Sequence, residues 1–149
     1  ALTGLASAYK ENKELRKATA LLEKSLELNP NDNQGNRFLL ATLYLEQQQY
    51  DDARAHLAKY EEEHNAFMQY SQLLLDYVTQ GDNPQTREQR KAAKSYNKYV
   101  VQYLSGRKKL PKIMPDHYGL GDRNEAILYA ADNRNLWRQV MGAIPWLLK

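Results

Sequence analysis

Sliding the first part of the chain forward by 35 places lays it on the second. Leu5-Ala6 falls on Leu40-Ala41, Tyr9 on Tyr44, Ala18 on Ala53, Leu22 on Leu57 and Ser25 on Tyr60. Within each unit Leu-Ala-x-x-Tyr is followed nine residues on by Ala, and four residues later by Leu. Such a period constrains the fold strongly, because a unit of this size buries its apolar face only by stacking on a neighbour. Small residues at Ala6, Ala18, Ala41 and Ala53 let two antiparallel helices approach closely. Leu5, Tyr9, Leu40 and Tyr44 then fill the space between successive hairpins. Asn29-Pro30-Asn31-Asp32 stops one helix and restarts the chain, since proline cannot continue a helix while Asn and Asp favour caps and turns.

Composition narrows the choice further. The chain has 149 residues, 42% hydrophobic and 26% charged, which suits a packed core and argues against disorder. It holds no cysteine, so disulfides, thiolate metal sites and cysteine nucleophiles are excluded. Seven glycines and five prolines are too few for a loop-rich β-sandwich or a Gly-rich phosphate scaffold. No apolar run approaches the roughly 20 residues of a membrane span. The expectation is an all-α protein. The chain opens on Ala1 without methionine, so no targeting signal is read from its start. The empty cysteine column fits a reducing, cytoplasmic setting.

The two units resemble the tetratricopeptide repeat, whose pattern is W-x2-L-G-x2-Y, A-x3-F and P. Leu2 stands for the Trp, Ala6 for the Gly and Leu22 for the Phe; the second unit has Arg37 and Asn65 at the Trp and Pro positions. The resemblance implies an α-solenoid of helix hairpins with repeats at 1–32 and 33–65. Residues 66–106 read as a degenerate third repeat. Its first helix covers 66–80 with Phe67, Tyr70, Leu73, Leu74, Tyr77 and Val78 apolar. Asn83 is the expected N-cap and Pro84 the first helical residue of a second helix reaching Leu104. Residues 107–121, with four basic residues and two prolines up to Pro115, read as an extended connector. Residues 122–149 read as a helical cap begun by Asp122 and Glu125 as a capping box, with Pro145 breaking its end. All five segments are expected to form a single domain over 1–149. Gly121-Asp122-x-x-Glu125-Ala126-Ile127-x-Tyr129-Ala130, followed by Trp137 and Gly142-Ala143, resembles the end segment of bacterial repeat proteins of unassigned function and of the suppression-of-tumorigenicity-seven family. That likeness implies no reaction.

No constellation for catalysis, cofactor or metal stands out. His56, His64 and His117 lack metal-ligand spacing. His56, beside Arg54 and Lys59, reads as a solvated surface residue. Asp116-His117 are neighbours that hardly aim at one reacting atom, and Gly119-Leu120-Gly121 lacks the strand a nucleotide fingerprint needs. The expectation is a non-enzyme that holds a protein or peptide partner. By the repeat's register the concave face carries Thr3, Ser7 and Lys10, then Phe38, Thr42 and Leu45. The Lys and Asn clamp that some family members close on a terminal carboxylate is missing, with Thr3, Ser7, Leu39 and Thr42 at its positions. Phe38 and Leu45 point instead to an apolar groove for a helix or extended peptide.

Charge supplies a second candidate. The net charge of +3 is split: residues 1–82 carry 8 basic and 13 acidic side chains, residues 83–149 carry 13 basic and 5 acidic. Arg87, Lys91, Lys94 and Lys98 fall within about 60° of one another on a helix, and Arg107, Lys108 and Lys109 follow. The alternative function is therefore a basic face, residues 87–112, that binds nucleic acid or another polyanion. An acidic protein partner ranks ahead of nucleic acid there, because the acidic first half would repel a long polyanion. The tyrosines Tyr96, Tyr99 and Tyr103 also lie opposite the cations and offer no stacking platform. Exposed solenoid ends leave room for self-association as well.

Overall fold

The computed structural model describes residues 6, 10, 12, 14–32 and 34–149. Among these there are eight helices and no strand: the all-α fold is as the period requires. Leu5 and Tyr9 of the first unit lie outside the described residues, as do Leu2, Thr3 and Ser7. Contacts divide the chain into two units, 1–56 and 57–149.

In the first unit α1 (Leu15–Leu28) packs on α2 (Asn36–Glu46). The small positions of the repeat are all interior: Ala6, Ala18, Ala41 and Ala53 are each buried, as are Leu22, Leu40, Tyr44 and Leu57. The turn between α1 and α2 is organised by Asp32, which is buried with a positive φ of 48°. Its Oδ1 accepts from the Asn36 backbone N–H at 2.7 Å, and its Oδ2 from that of Arg37 at 2.9 Å. The Arg37 guanidinium closes on the same Oδ2 at 2.8 Å. One carboxylate thus satisfies two open donors of the helix start. Tyr44 Oη donates to Glu23 at 2.9 Å and Gln47 Nε2 to Thr19 Oγ1 at 2.7 Å, fastening α2 across to α1.

Helix α3 (Tyr50–Ala58) contains a correction. His56 is not on a solvated surface: it is 5% exposed, its Nε2 donates to the Arg37 carbonyl at 2.8 Å, and its ring meets Tyr44 edge-on. The reason is periodic. Position 56 lies three after Ala53 and next to Leu57, on the buried side of the helix.

In the second unit α4 (Ala66–Gln80) and α5 (Pro84–Tyr96) form a hairpin. Asn83 and Thr86 cap α5 reciprocally, and Pro84 opens it as expected. The helix then stops at Tyr96 rather than running to Leu104. A separate short helix α6 (Val100–Ser105) follows, with the connector 107–121 beyond it. Helix α7 (Arg123–Gln139) packs against α4 and α6, and α8 (Ala143–Leu148) packs against α6 and α7. Pro145 stands in the first turn of α8, where the missing N–H is unneeded, so it helps to start this helix and breaks nothing. Trp137 and Trp146 are both buried.

The break after Tyr96 is made by Asn97. Fully buried, its Oδ1 accepts from Tyr99 N, and its Nδ2 donates to the Asp122 carbonyl at 2.9 Å and to Glu125 Oε1 at 2.8 Å. Glu125 is itself fully buried. It also accepts from Gly121 N at 3.0 Å, Ala66 N at 3.2 Å and Tyr96 Oη at 3.5 Å. The expected capping box is therefore half right. Asp122 accepts from Glu125 N, but the Glu125 carboxylate turns inward to tie α4, the 96–99 break and the connector to α7.

Four tyrosines are hard to ionise. Burial, chiefly, lifts Tyr44 and Tyr70 above the ordinary value of 10, and lifts Tyr96 and Tyr129 to about 12; the bond to Glu23 adds at Tyr44, and the Glu125 carboxylate at Tyr96. A folded value above the unfolded one means stability that is whole below pH 10 and lost as pH rises through the folded values. Alkaline titration by tyrosinate absorbance should show a late set of phenols ionising near 12 with loss of helical circular dichroism. Ionisation of all eleven tyrosines in one step near 10, with helicity kept, would contradict this packing.

Candidate functional site

Helix α5 exposes most of its surface, burying only Thr86 and Ala93, and along it run Arg87, Arg90, Lys91 and Lys94. These cations do different things. Arg87 makes a two-pronged bond to Asp82, Nε to Oδ1 and Nη2 to Oδ2, each 2.8 Å. Trp146 Nε1 reaches the same Oδ1 at 2.9 Å. Arg87 first and Trp146 second hold the Asp82 carboxyl well below the usual carboxylate range.

Arg90 Nη1 donates to the Trp146 carbonyl and Lys94 Nζ to the Leu147 carbonyl, both at 2.8 Å. These are carbonyls of the last turn of α8; the one on Trp146 also accepts from the Lys149 backbone N–H at 3.2 Å. The Arg90 guanidinium also lies 4.7 Å from the Trp146 ring centre, and Trp146 stacks on Tyr77 at 4.4 Å. Helix α8 is thereby sealed to the α4–α5 hairpin by two cations and an aromatic pair. Lys94 is pushed below the ordinary lysine value, by partial burial first and then by Arg90 and Arg107.

Beside this seal opens a cleft of about 330 Å³ lined by Arg87, Glu88, Arg90, Lys91, Lys94 and Lys149: five cations and one carboxylate. Of the seven basic residues expected on this face, Arg87, Lys91 and Lys94 come together here. Lys98, past the helix break, lies over the Tyr99 ring at 5.3 Å and does not line the cleft. Arg107, Lys108 and Lys109 are exposed on the connector, with Arg107 near enough to act on Lys94. Arg90 and Lys149 were not anticipated. Arg90 was legible, being three residues after Arg87 and four before Lys94; Lys149 was not, since only the fold of α8 returns it here.

On the other candidate face, Thr3 and Ser7 lie outside the described residues. Lys10 Nζ is 4.0 Å from Glu46 Oε1, with both side chains 20% exposed. Phe38 is half-buried, with the Arg37 guanidinium 4.1 Å above its ring. Thr42 and Leu45 are buried, at 1% and 3% exposure, and the Thr42 hydroxyl donates to the Phe38 carbonyl. In the single chain these two pack the core and offer no contact surface. The physical reason is that residues 40–45 of α2 are buried without interruption.

His117 Nδ1 and Asp116 Oδ1 meet at 2.6 Å, yet the side chains are 86% and 94% exposed. Among the described residues no group of three His, Cys, Asp or Glu is placed to hold a metal ion. None of the described helices is long and apolar enough to cross a membrane.

Helical hairpins in register, with small residues buried where their helices meet, define a helical-repeat protein. Residues 1–75 match the family model described as tetratricopeptide repeat, and the chain belongs to that family. No curated protein and no solved structure matches it. Repeats of this family generally mediate protein–protein interaction, and the family typically serves as non-catalytic scaffold.

Proposed function

We propose that the chain is a non-catalytic interaction module that takes a peptide or helix of a protein partner on the concave face of its repeats. Membership of the tetratricopeptide repeat family carries the reading. Within that face, Phe38 is the accessible apolar anchor. It is half-exposed on the first turns of α2, backed by the Arg37 guanidinium, and Lys10 adds a polar contact at the rim. An aromatic ring beside a guanidinium is the kind of pair that dominates binding energy in protein interfaces. The Thr42 hydroxyl bonds the Phe38 carbonyl, Leu45 packs the core of the same helix, and the register of the repeat adds Thr3 and Ser7 to the proposed face.

The test is selection from a display library of random helical and extended peptides against the wild-type protein. Selected peptides should bind the Phe38→Glu variant at least about tenfold more weakly, as loss of a central aromatic anchor implies, with helical circular dichroism unchanged. Equal binding by the folded variant would sink the reading. Leu45→Lys is no substitute, because a charge in that buried position would unfold the helix pair.

A second reading, a basic face for polyanions over residues 87–112, draws support from the cleft at α5.

A further inference from the structure

We propose that the cleft between α5 and the end of α8 is a docking site for an acidic segment of a partner protein, a stretch bearing two or more Asp or Glu side chains. The inference rests on the reading of the chain as an interaction module and adds a second surface to it, with a defined chemistry.

Charge complementarity is the first argument. Arg87, Arg90, Lys91, Lys94 and Lys149 surround about 330 Å³ with Glu88 as the one carboxylate side chain in the lining. Asp82, outside the lining, compensates Arg87, and the other four cations leave the excess positive. The volume suits side chains of a peptide and not a long polymer. The second argument is preorganisation. Arg90 and Lys94 are fixed by the Trp146 and Leu147 carbonyls and Arg87 by Asp82, so these heads need little further ordering to meet a carboxylate. Lys91 is exposed and makes no hydrogen bond or ion pair among the described residues, which leaves it to the ligand. The third is the crowding of like charge. Partial burial first, and then Arg90 and Arg107, disfavour the charged form of Lys94, and an incoming anion would offset the repulsive part.

Nucleic acid fits less well. Base stacking needs a free aromatic face, and the aromatic ring at the cleft, Trp146, is 3% exposed, occupied by Tyr77 and Arg90. The basic track also ends at the helix break, so Lys98 does not extend it along a strand.

Fluorescence anisotropy of labelled decaglutamate, decaglutamine and a deoxythymidine decamer, at about 50 and 300 mM salt, tests the proposal. Decaglutamate should bind and weaken with salt, decaglutamine should not bind, and the oligonucleotide should bind more weakly than decaglutamate. Lys91→Glu with Lys149→Glu leaves the carbonyl bonds of Arg90 and Lys94 and the Arg87–Asp82 pair in place. That variant should lose about tenfold in affinity, the effect of removing close charge pairs from an interface. Should the reversal reduce helicity, Lys91→Gln with Lys149→Gln takes its place. Lys108→Glu with Lys109→Glu changes the net charge equally on the exposed connector and should lose less than about twofold. Equal losses from the connector and cleft variants, tighter binding of the oligonucleotide, or no binding of decaglutamate would each overturn the proposal. The peptides selected through Phe38 provide the separation: their binding should be indifferent to Lys91→Glu with Lys149→Glu, so either surface can fail alone.

Discussion

Glu125→Ala should destabilise residues 57–149 by about 3–5 kcal/mol in urea unfolding followed by circular dichroism, roughly 1–2 kcal/mol for each backbone or amide donor it strands. The carboxylate is fully buried and receives Gly121 N, Asn97 Nδ2 and Ala66 N, with the Tyr96 hydroxyl at the limit of bonding distance. Alanine leaves these donors in a space from which water is excluded. Glu125→Gln separates charge from shape. Its carbonyl can replace Oε1 and keep Asn97 and Gly121, but its amide then faces the Ala66 N–H, donor against donor. The loss should therefore be smaller, about 1–3 kcal/mol. Tyr96→Phe removes the longest of these bonds together with the 2.9 Å bond from the Tyr96 hydroxyl to the His64 carbonyl, but strands no donor on Glu125, and should cost about 1 kcal/mol. If Glu125→Ala stayed within about 1 kcal/mol of wild type, the residue would be no fastener, and some other group would hold the connector to α7.

Glu125 also marks where sequence reasoning reaches and where it stops. Local signals were readable: the alanines of the repeat are buried, and Asn83-Pro84 opens α5 with its cap. Asp122 starts α7 as its type and position require. What escaped was settled by residues far along the chain. The Asn97 break interrupts a sequence in which Tyr96, Tyr99, Val100 and Tyr103 keep a helical period. It exists because Asp122 and Glu125, 25 and 28 residues on, accept the Asn97 amide. Position three of α7 suggested a reciprocal cap, but the side chain had better donors inside.

The cation spacing on α5 was equally readable, while the acceptors of Arg90 and Lys94 lie 56 and 53 residues away. His56 is the exception, since its place beside Ala53 and Leu57 was available and its charged neighbours outweighed it. Thr42 and Leu45 follow the distant pattern: the repeat register placed them on a binding face, and packing around α2 buried them.

Trp146→Ala should release α8 and dissolve the cleft with it. The helix has six residues, too few to persist without tertiary contacts. Trp146 supplies the stack on Tyr77, the surface under Arg90 and the Nε1 bond to Asp82. Truncating a buried tryptophan costs about 3–5 kcal/mol, and at about 2–4 °C per kcal/mol for a chain of this length the melting temperature should fall by on the order of 10 °C. Trp146→Phe keeps a ring on Tyr77 and loses only the bond to Asp82, so it should cost about 1 kcal/mol. The chain has two tryptophans, so Trp137→Phe leaves Trp146 as the sole emitter and its red shift on heating reports the detachment of α8 directly. Binding ties this to the cleft. Once α8 leaves, Arg90 and Lys94 lose the carbonyls that hold them, and Lys149 departs with the helix, so decaglutamate affinity should collapse in Trp146→Ala and survive in Trp146→Phe. Full affinity in a variant whose α8 has demonstrably detached would mean that the exposed cations of α5 suffice, and that the shape built by the end of the chain contributes nothing to recognition.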